Sequence, residues 1–270
     1  MAITTTRNPV LRDDTYSSQA QGPFLDTRSG SGLPGDTPPR TMMSIRGVIG
    51  KAAILLLLVA FSFGYTWDRV MEAAENGGAG GGSFILIGGI GGFIVSLIIS
   101  FKPKLAPFLA PPFALLEGLL LGAISAYYES ASVAGGYDGI VFQAALATIG
   151  VFTAMLLLYR TRIIKVTARF RAIVGVAMLG IVITYGLTFI LSFFGTTVPF
   201  IHGSGPIGIG FSLLVIGIAS MMLLSDFDMV ERGVATGAPK YMEWYSAFAL
   251  LVTVVWIYLE MLRLLSKLRR

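Results

Sequence analysis

Cysteine is absent from this chain and histidine occurs once, at His202. The first absence excludes disulfides, thiolate metal sites and cysteine nucleophiles. The second excludes a multi-histidine metal site built from this chain alone. It also leaves a Ser/His/Asp arrangement with one imidazole, placed by sequence in a loop, so no catalytic activity is expected. Charge is scarce as well. Only 13% of the 270 residues are Asp, Glu, Lys or Arg, against 54% hydrophobic, where a soluble domain carries about 25% charged residues. A soluble surface needs polar cover, and lipid is the solvent that does not. The composition predicts an all-α, polytopic membrane protein. The net charge of +5 sits in short loops between apolar runs, which reads as a topology signal and not as a nucleic-acid surface.

Residues 1–45 differ from the rest. From Thr4 to Arg40 the chain is rich in Ser, Thr, Gly, Pro and Asp, shows no apolar period, and cannot bury enough surface to order itself. No apolar signal-peptide core follows the start. This stretch is expected to be a disordered cytoplasmic tail, and residues 46–270 a membrane domain.

Seven apolar runs follow, at about 47–67, 83–101, 105–128, 139–159, 172–195, 207–230 and 241–265. Each approaches the roughly 20 residues a helix needs to cross the hydrocarbon core. Arg40, Arg46, Lys51, Lys102, Lys104, Arg160, Arg162, Lys165, Arg169, Arg171, Arg232 and Lys240 flank one set of span ends. The opposite loops hold Asp68, Glu72, Glu75, Glu129 and Asp138, with Arg69. The asymmetry puts the N-terminus in the cytoplasm. With seven spans the basic end at Lys267, Arg269 and Arg270 falls on the wrong side of this rule. Glycines at 88, 89, 91 and 92, at 118 and 122, and at 208, 210 and 217 are expected to let helix backbones approach closely.

The acids carry the functional signal, because an ionisable group near a span centre costs at least about 2.5–3.5 kcal/mol. Glu117 stands among leucines, one to two turns into a span expected to begin at Pro111-Pro112. Asp226, Asp228 and Glu231 crowd the C-terminal turns of the sixth span, before a helix stop expected at Gly233. The helix dipole disfavours carboxylates at that end. Asp228 can pair with Arg232 at i, i+4, Glu231 is expected to face water, and Asp226 is the deepest. Glu243 begins the seventh span and reads as an interfacial carboxylate. Glu117, Asp226, Asp228 and Glu243 fall in the same half of the bilayer, so neighbouring helices would gather them into one carboxylate cluster. Such clusters share protons and attract hard cations such as Ca²⁺. Asp226 and Glu117 are the expected calcium ligands. Glu260 has Arg263 at i+3 and reads as a structural ion pair. His202 reads as an exposed loop residue.

At these residues the chain resembles the Bax inhibitor-1/YccA family, also called the transmembrane Bax inhibitor motif family, in its bacterial branch with a long N-terminal tail. The matching stretches are Pro112 to Gly122, Asp226-Phe227-Asp228, Glu243-Trp244-Tyr245 and Leu250 to Leu265. The resemblance implies seven helices with the last one central, a bacterial plasma-membrane location, and a pH-sensitive Ca²⁺ leak. It also implies two aspartates on the last two helices that share a proton and latch the pore. Asp226 matches the first. The second falls near Thr253, and the seventh span has no Asp. The latch thus lacks its second acid, and Glu117 becomes the expected substitute partner for Asp226. The functional expectation is a channel-like leak for calcium ions gated by protons, with no cofactor. The rival is a non-transporting regulator that binds another membrane protein, such as a protease or a stress-response component.

Overall fold

The structure, a computed structural model, describes residues 42–76, 80–135, 138–194, 203 and 205–269. Nearly all of the expected tail, and His202, lie outside the described residues. Seven helices among them are long and apolar enough to cross a membrane. They are α1 (Ile45–Glu75), α2 (Gly82–Phe101), α3 (Ala106–Ala134), α4 (Ile140–Arg160), α5 (Ala168–Phe193), α6 (Pro206–Ala235) and α7 (Met242–Leu268). The expected all-α bundle is what the chain forms.

Local chemistry sets the helix ends. Ser44 caps α1, its hydroxyl accepting from the Gly47 amide at 3.0 Å. Pro206 occupies the first turn of α6, where a missing N–H is no loss. The other end of α6 departs from expectation. The helix continues past Gly233 and stops at Gly237, which takes a left-handed φ of 66°. Ala238 N–H donates to Gly233 O at 2.9 Å and Gly237 N–H to Val234 O at 3.1 Å, the paired bonds of a Schellman turn.

The start of α3 is also corrected. A 3₁₀ turn at Pro103–Leu105 leads into a helix that runs through Pro111 and Pro112. Both prolines fall in its first two turns, so only carbonyls near the helix start lose their donors. Glu117 consequently lies eleven residues in, about 16 Å along the helix axis, far deeper than a start at the prolines implies.

α7 is the centre of the bundle. It packs on α1, α3, α4 and α6, and half of its most apolar window is buried within the protein, the largest share of the seven. Its first half joins α1 and α3 in one core around Leu55, Phe113, Phe248 and Leu251. Its second half joins α4 and α6 around Ile140, Leu223, Leu224, Ile257 and Leu262. α2 packs on α3, and α5 on α6, at the periphery.

Lipid supplies no hydrophobic drive between helices, so close backbone packing matters. α1 and α3 meet at Gly118 and Gly122. A Cβ at Gly118 would collide with Ser62 Oγ and Val59 O, and one at Gly122 would lie 2.6 Å from Phe63 O. Gly88 on α2 is equally tight, with Leu116 O 2.6 Å from its would-be Cβ. The expectation fails for Gly210 and Gly217, whose Cβ positions meet nothing within 4 Å.

Gly122→Ala should therefore destabilise the bundle by about 1–3 kcal/mol, the usual cost of overpacking. Gly217→Ala should leave it unchanged or firmer. Thermal unfolding of the purified protein in detergent distinguishes the two.

Candidate functional site

The helix ends alternate between two faces. The near face is the one at which α1 begins; α2, α4 and α6 end there. On this face Glu243, in the first turn of α7, is covered by protein, with no measurable exposure. Its Oε1 accepts from Ser44 N–H at 2.9 Å and Ser44 Oγ at 3.0 Å, and its Oε2 pairs with Lys51. It locks the start of α7 to the start of α1. Met43 N–H donates to Ala238 O at 2.8 Å, adding a backbone tie to the α6–α7 turn. Gly47 makes room here, because a Cβ would displace the Glu243 carboxylate from its present position. Sequence reasoning missed Ser44 and Lys51 as its partners, although the capping serine before an apolar run was a readable signal.

Asp228 is held by two arginines. Its Oδ2 accepts from Arg171 Nη1 at 2.9 Å and from Arg232 Nε at 2.7 Å. The first bond ties the start of α5 to the end of α6, and the second is the expected i, i+4 pair. Glu231 is exposed yet paired with Tyr159 and Arg162. These two acids act as clasps between elements.

Asp226 is different. It is 4% exposed and lies in the seam between α6 and α7. Thr253 Oγ1 donates to its Oδ2 at 2.6 Å. The same hydroxyl lies 3.2 Å from Ala249 O on its own helix, so one proton is shared between two acceptors. Thr253, the position matched to the missing second aspartate, is thus the residue that faces Asp226. Asp226 is about 14 Å from the end of α6, and Thr253 about 16 Å from the start of α7. Along α6 the pair lies two residues inward of the partly exposed Asp228, in the near half of both helices.

Glu117 does not join it. Its carboxylate lies in the α2–α3 seam, where a Cβ on Gly92 would be 3.2 Å from Oε2. α3 packs on α1, α2, α4 and α7, whereas α6 packs on α7, α4, α5 and α1. The two acids point into different seams, so the expected substitution of Glu117 for the second aspartate is not formed. Nor is the expected four-acid cluster. Among the described residues no three His, Cys, Asp or Glu side chains gather to hold a metal ion. The convergence inferred from depth along the helices fails because α7 and its neighbours separate the faces that carry the acids.

The far half of α7 carries a second polar set. Glu260, with no measurable exposure, accepts from Arg263 Nη1 at 2.5 Å and from Tyr185 Oη at 3.1 Å. This is the structural pair expected, extended to α5. Lys267 is 6% exposed and donates to Gly208 O and Ser212 Oγ, both at 2.9 Å. Arg269 donates to Gln143 Oε1 at 2.8 Å. Lys267 and Arg269, two of the C-terminal cations that break the loop-charge rule, are thus engaged by α6 and α4.

The features define a class: a seven-span membrane protein built around its last helix, with one carboxylate answered by a hydroxyl in the central seam. The family model described as Bax inhibitor 1 like matches residues 8–270, and the chain belongs to that family. The match reaches well upstream of residue 45, where the resemblance in sequence begins. Comparison with curated proteins finds no match, and comparison with solved structures finds none.

Glu243→Ala should cost about 1–3 kcal/mol, because it leaves the Ser44 amide and the half-buried Lys51 ammonium without their acceptor. It should also release the Ser44 amide. Hydrogen exchange followed by mass spectrometry in detergent, with Lys51→Ala and the double variant completing the cycle, measures both effects.

Proposed function

We propose that this protein is a pH-responsive leak for calcium ions in a bacterial plasma membrane, with residue 45 on the cytoplasmic face and Asp226 as the gating group. The observation that carries the reading is the Asp226–Thr253 contact at 2.6 Å in the seam of the central helix. When Asp226 is protonated it is neutral, and the seam stays closed and dry. When it ionises, a buried charge is left with one neutral donor. That state is costly unless water or a cation enters. Raising the pH therefore favours a hydrated seam and flux.

The atoms at this point suit a hard cation. A carboxylate, a hydroxyl and the Ala249 carbonyl are all oxygen donors, which calcium prefers. They are too few to hold the ion permanently, and a passing ion keeps part of its water. The hydroxyl replaces the second acid that the family resemblance implies. One carboxylate then titrates alone, without a partner to share its proton.

Orientation rests on the loop charges. Lys51, Arg160, Arg162, Arg171, Arg232 and Lys240 flank helix ends on the near face, the pattern of a cytoplasmic side. Protons, calcium and lipid are the partners this reading needs. It requires no second protein, which separates it from a regulator that acts only by binding one.

Calcium flux into liposomes holding only the purified protein tests it. Wild type should leak more as pH rises, with a single step. Asp226→Asn should lose the step and cut the alkaline flux about tenfold or more, equivalent to ~1.4 kcal/mol on the barrier. Thr253→Asp should keep a step but move its midpoint, because two carboxylates then share a proton. Absence of flux from wild type at every pH would sink the proposal.

Glu117 gives a separate check. Because it faces Gly92 and not Asp226, the effects of Glu117→Gln and Asp226→Asn on flux should add within about 0.5 kcal/mol in the double variant. The same assay measures all three.

A further inference from the structure

Between α1 and α4 the bundle opens into a cleft of about 670 Å³. Its floor is formed by Leu121 on α3 and by Leu251 and Val255 on α7, all at most 6% exposed. Ala60 and Ala145 line opposite walls. Leu56, Phe142 and Ile149 line it too and are 50%, 67% and 61% exposed, so the cleft opens sideways, towards lipid. It runs along α4 from Gly139 to Ile149, about 15 Å at 1.5 Å per residue. It therefore belongs to the far half of the bilayer.

The lining decides what can fill it. Apart from Trp67, Glu129, Thr148 and Tyr258 every lining residue is apolar or glycine, and the opening faces lipid, so an acyl chain meets a matching surface. Charge decides which lipid. Trp67 and Glu129 line the far end of the cleft. Glu129 accepts from Gly139 N–H at 2.5 Å and from Val141 N–H at 3.1 Å, and among the described residues no cation pairs with it. Asp138, exposed, precedes Gly139. Arg269, held on Gln143, and Arg69, beside Glu72, are cations of this end, but among the described residues the one charge lining the cleft is that of Glu129, which disfavours an anionic headgroup and suits an ammonium.

We propose that the cleft binds one acyl chain of an amine-headed phospholipid from the far leaflet, with its ammonium beside Glu129 and Asp138. The site is independent of the Asp226 seam, which lies on another face of α7, and of the leak reading.

The test uses the full chain purified in mild detergent after exposure to vesicles of phosphatidylethanolamine or phosphatidylglycerol. Native mass spectrometry should find one phosphatidylethanolamine retained per protein. Ala145→Phe and Ala60→Phe, which fill the cleft from opposite walls, should each lower that occupancy about tenfold or more. No retained lipid in wild type would overturn the proposal, as would retention unchanged in both variants. Equal retention of phosphatidylglycerol would overturn the headgroup assignment, and a free fatty acid or second protein copy in its place would overturn the phospholipid. A second measurement needs no cleft-filling variant. In Trp244→Phe/Trp256→Phe protein, phosphatidylethanolamine with brominated chains should quench Trp67 at low mole fraction and saturate. Quenching that only follows bulk lipid composition would count against the site.

Discussion

A bilayer offers no hydrogen bonds, so each buried or half-buried acid on the last two helices must find its donor inside the protein. The bundle meets this demand unevenly. Glu243 has a lysine, a hydroxyl and a backbone amide. Asp228 has two arginines. Glu260 has an arginine and a tyrosine. Asp226 alone in this set is met by one neutral hydroxyl. The first three acids resemble rivets whose protonation would break an element contact. The fourth takes part in no ion pair among the described residues.

The central position of α7 follows from the same demand. A helix bearing Glu243, Thr253, Glu260 and Lys267 cannot face acyl chains on any of those sides. Neighbours must cover each of them, and α1, α6, α5 and α6 again supply the partners. The peripheral helices α2 and α5 place large apolar side chains outward instead, such as Phe93 and Ile173. Polar content thus sorts the helices into centre and rim.

Much of this was legible from the residues. Hydrophobic length located all seven helices, and the Gly118/Gly122 spacing marked a real α1–α3 approach. The i, i+4 and i, i+3 pairs at Asp228–Arg232 and Glu260–Arg263 are local and could be read directly. What failed is what depends on rotation about a helix axis. Glu117 and Asp226 had comparable depth, yet depth does not say which seam a side chain enters. The partners of Glu243 were not legible because Ser44 and Lys51 lie some 200 positions away in sequence. The stop at Gly237 in place of Gly233, and the passage of α3 through Pro111 and Pro112, are boundary shifts that place the acids further from the helix ends. Thr253 was singled out only through the family resemblance, since a threonine on an apolar helix carries no signal of its own.

The junction at Ser44 has a mechanical side. Residues 42–44 are stitched to the α6–α7 turn by Met43, and to the first turn of α7 by Glu243. Thr253 lies ten residues further along that rod, about 15 Å away. A load applied to the chain ahead of Met42 would thus be delivered to the base of the very helix that carries Thr253, as a tug on a lever's short arm.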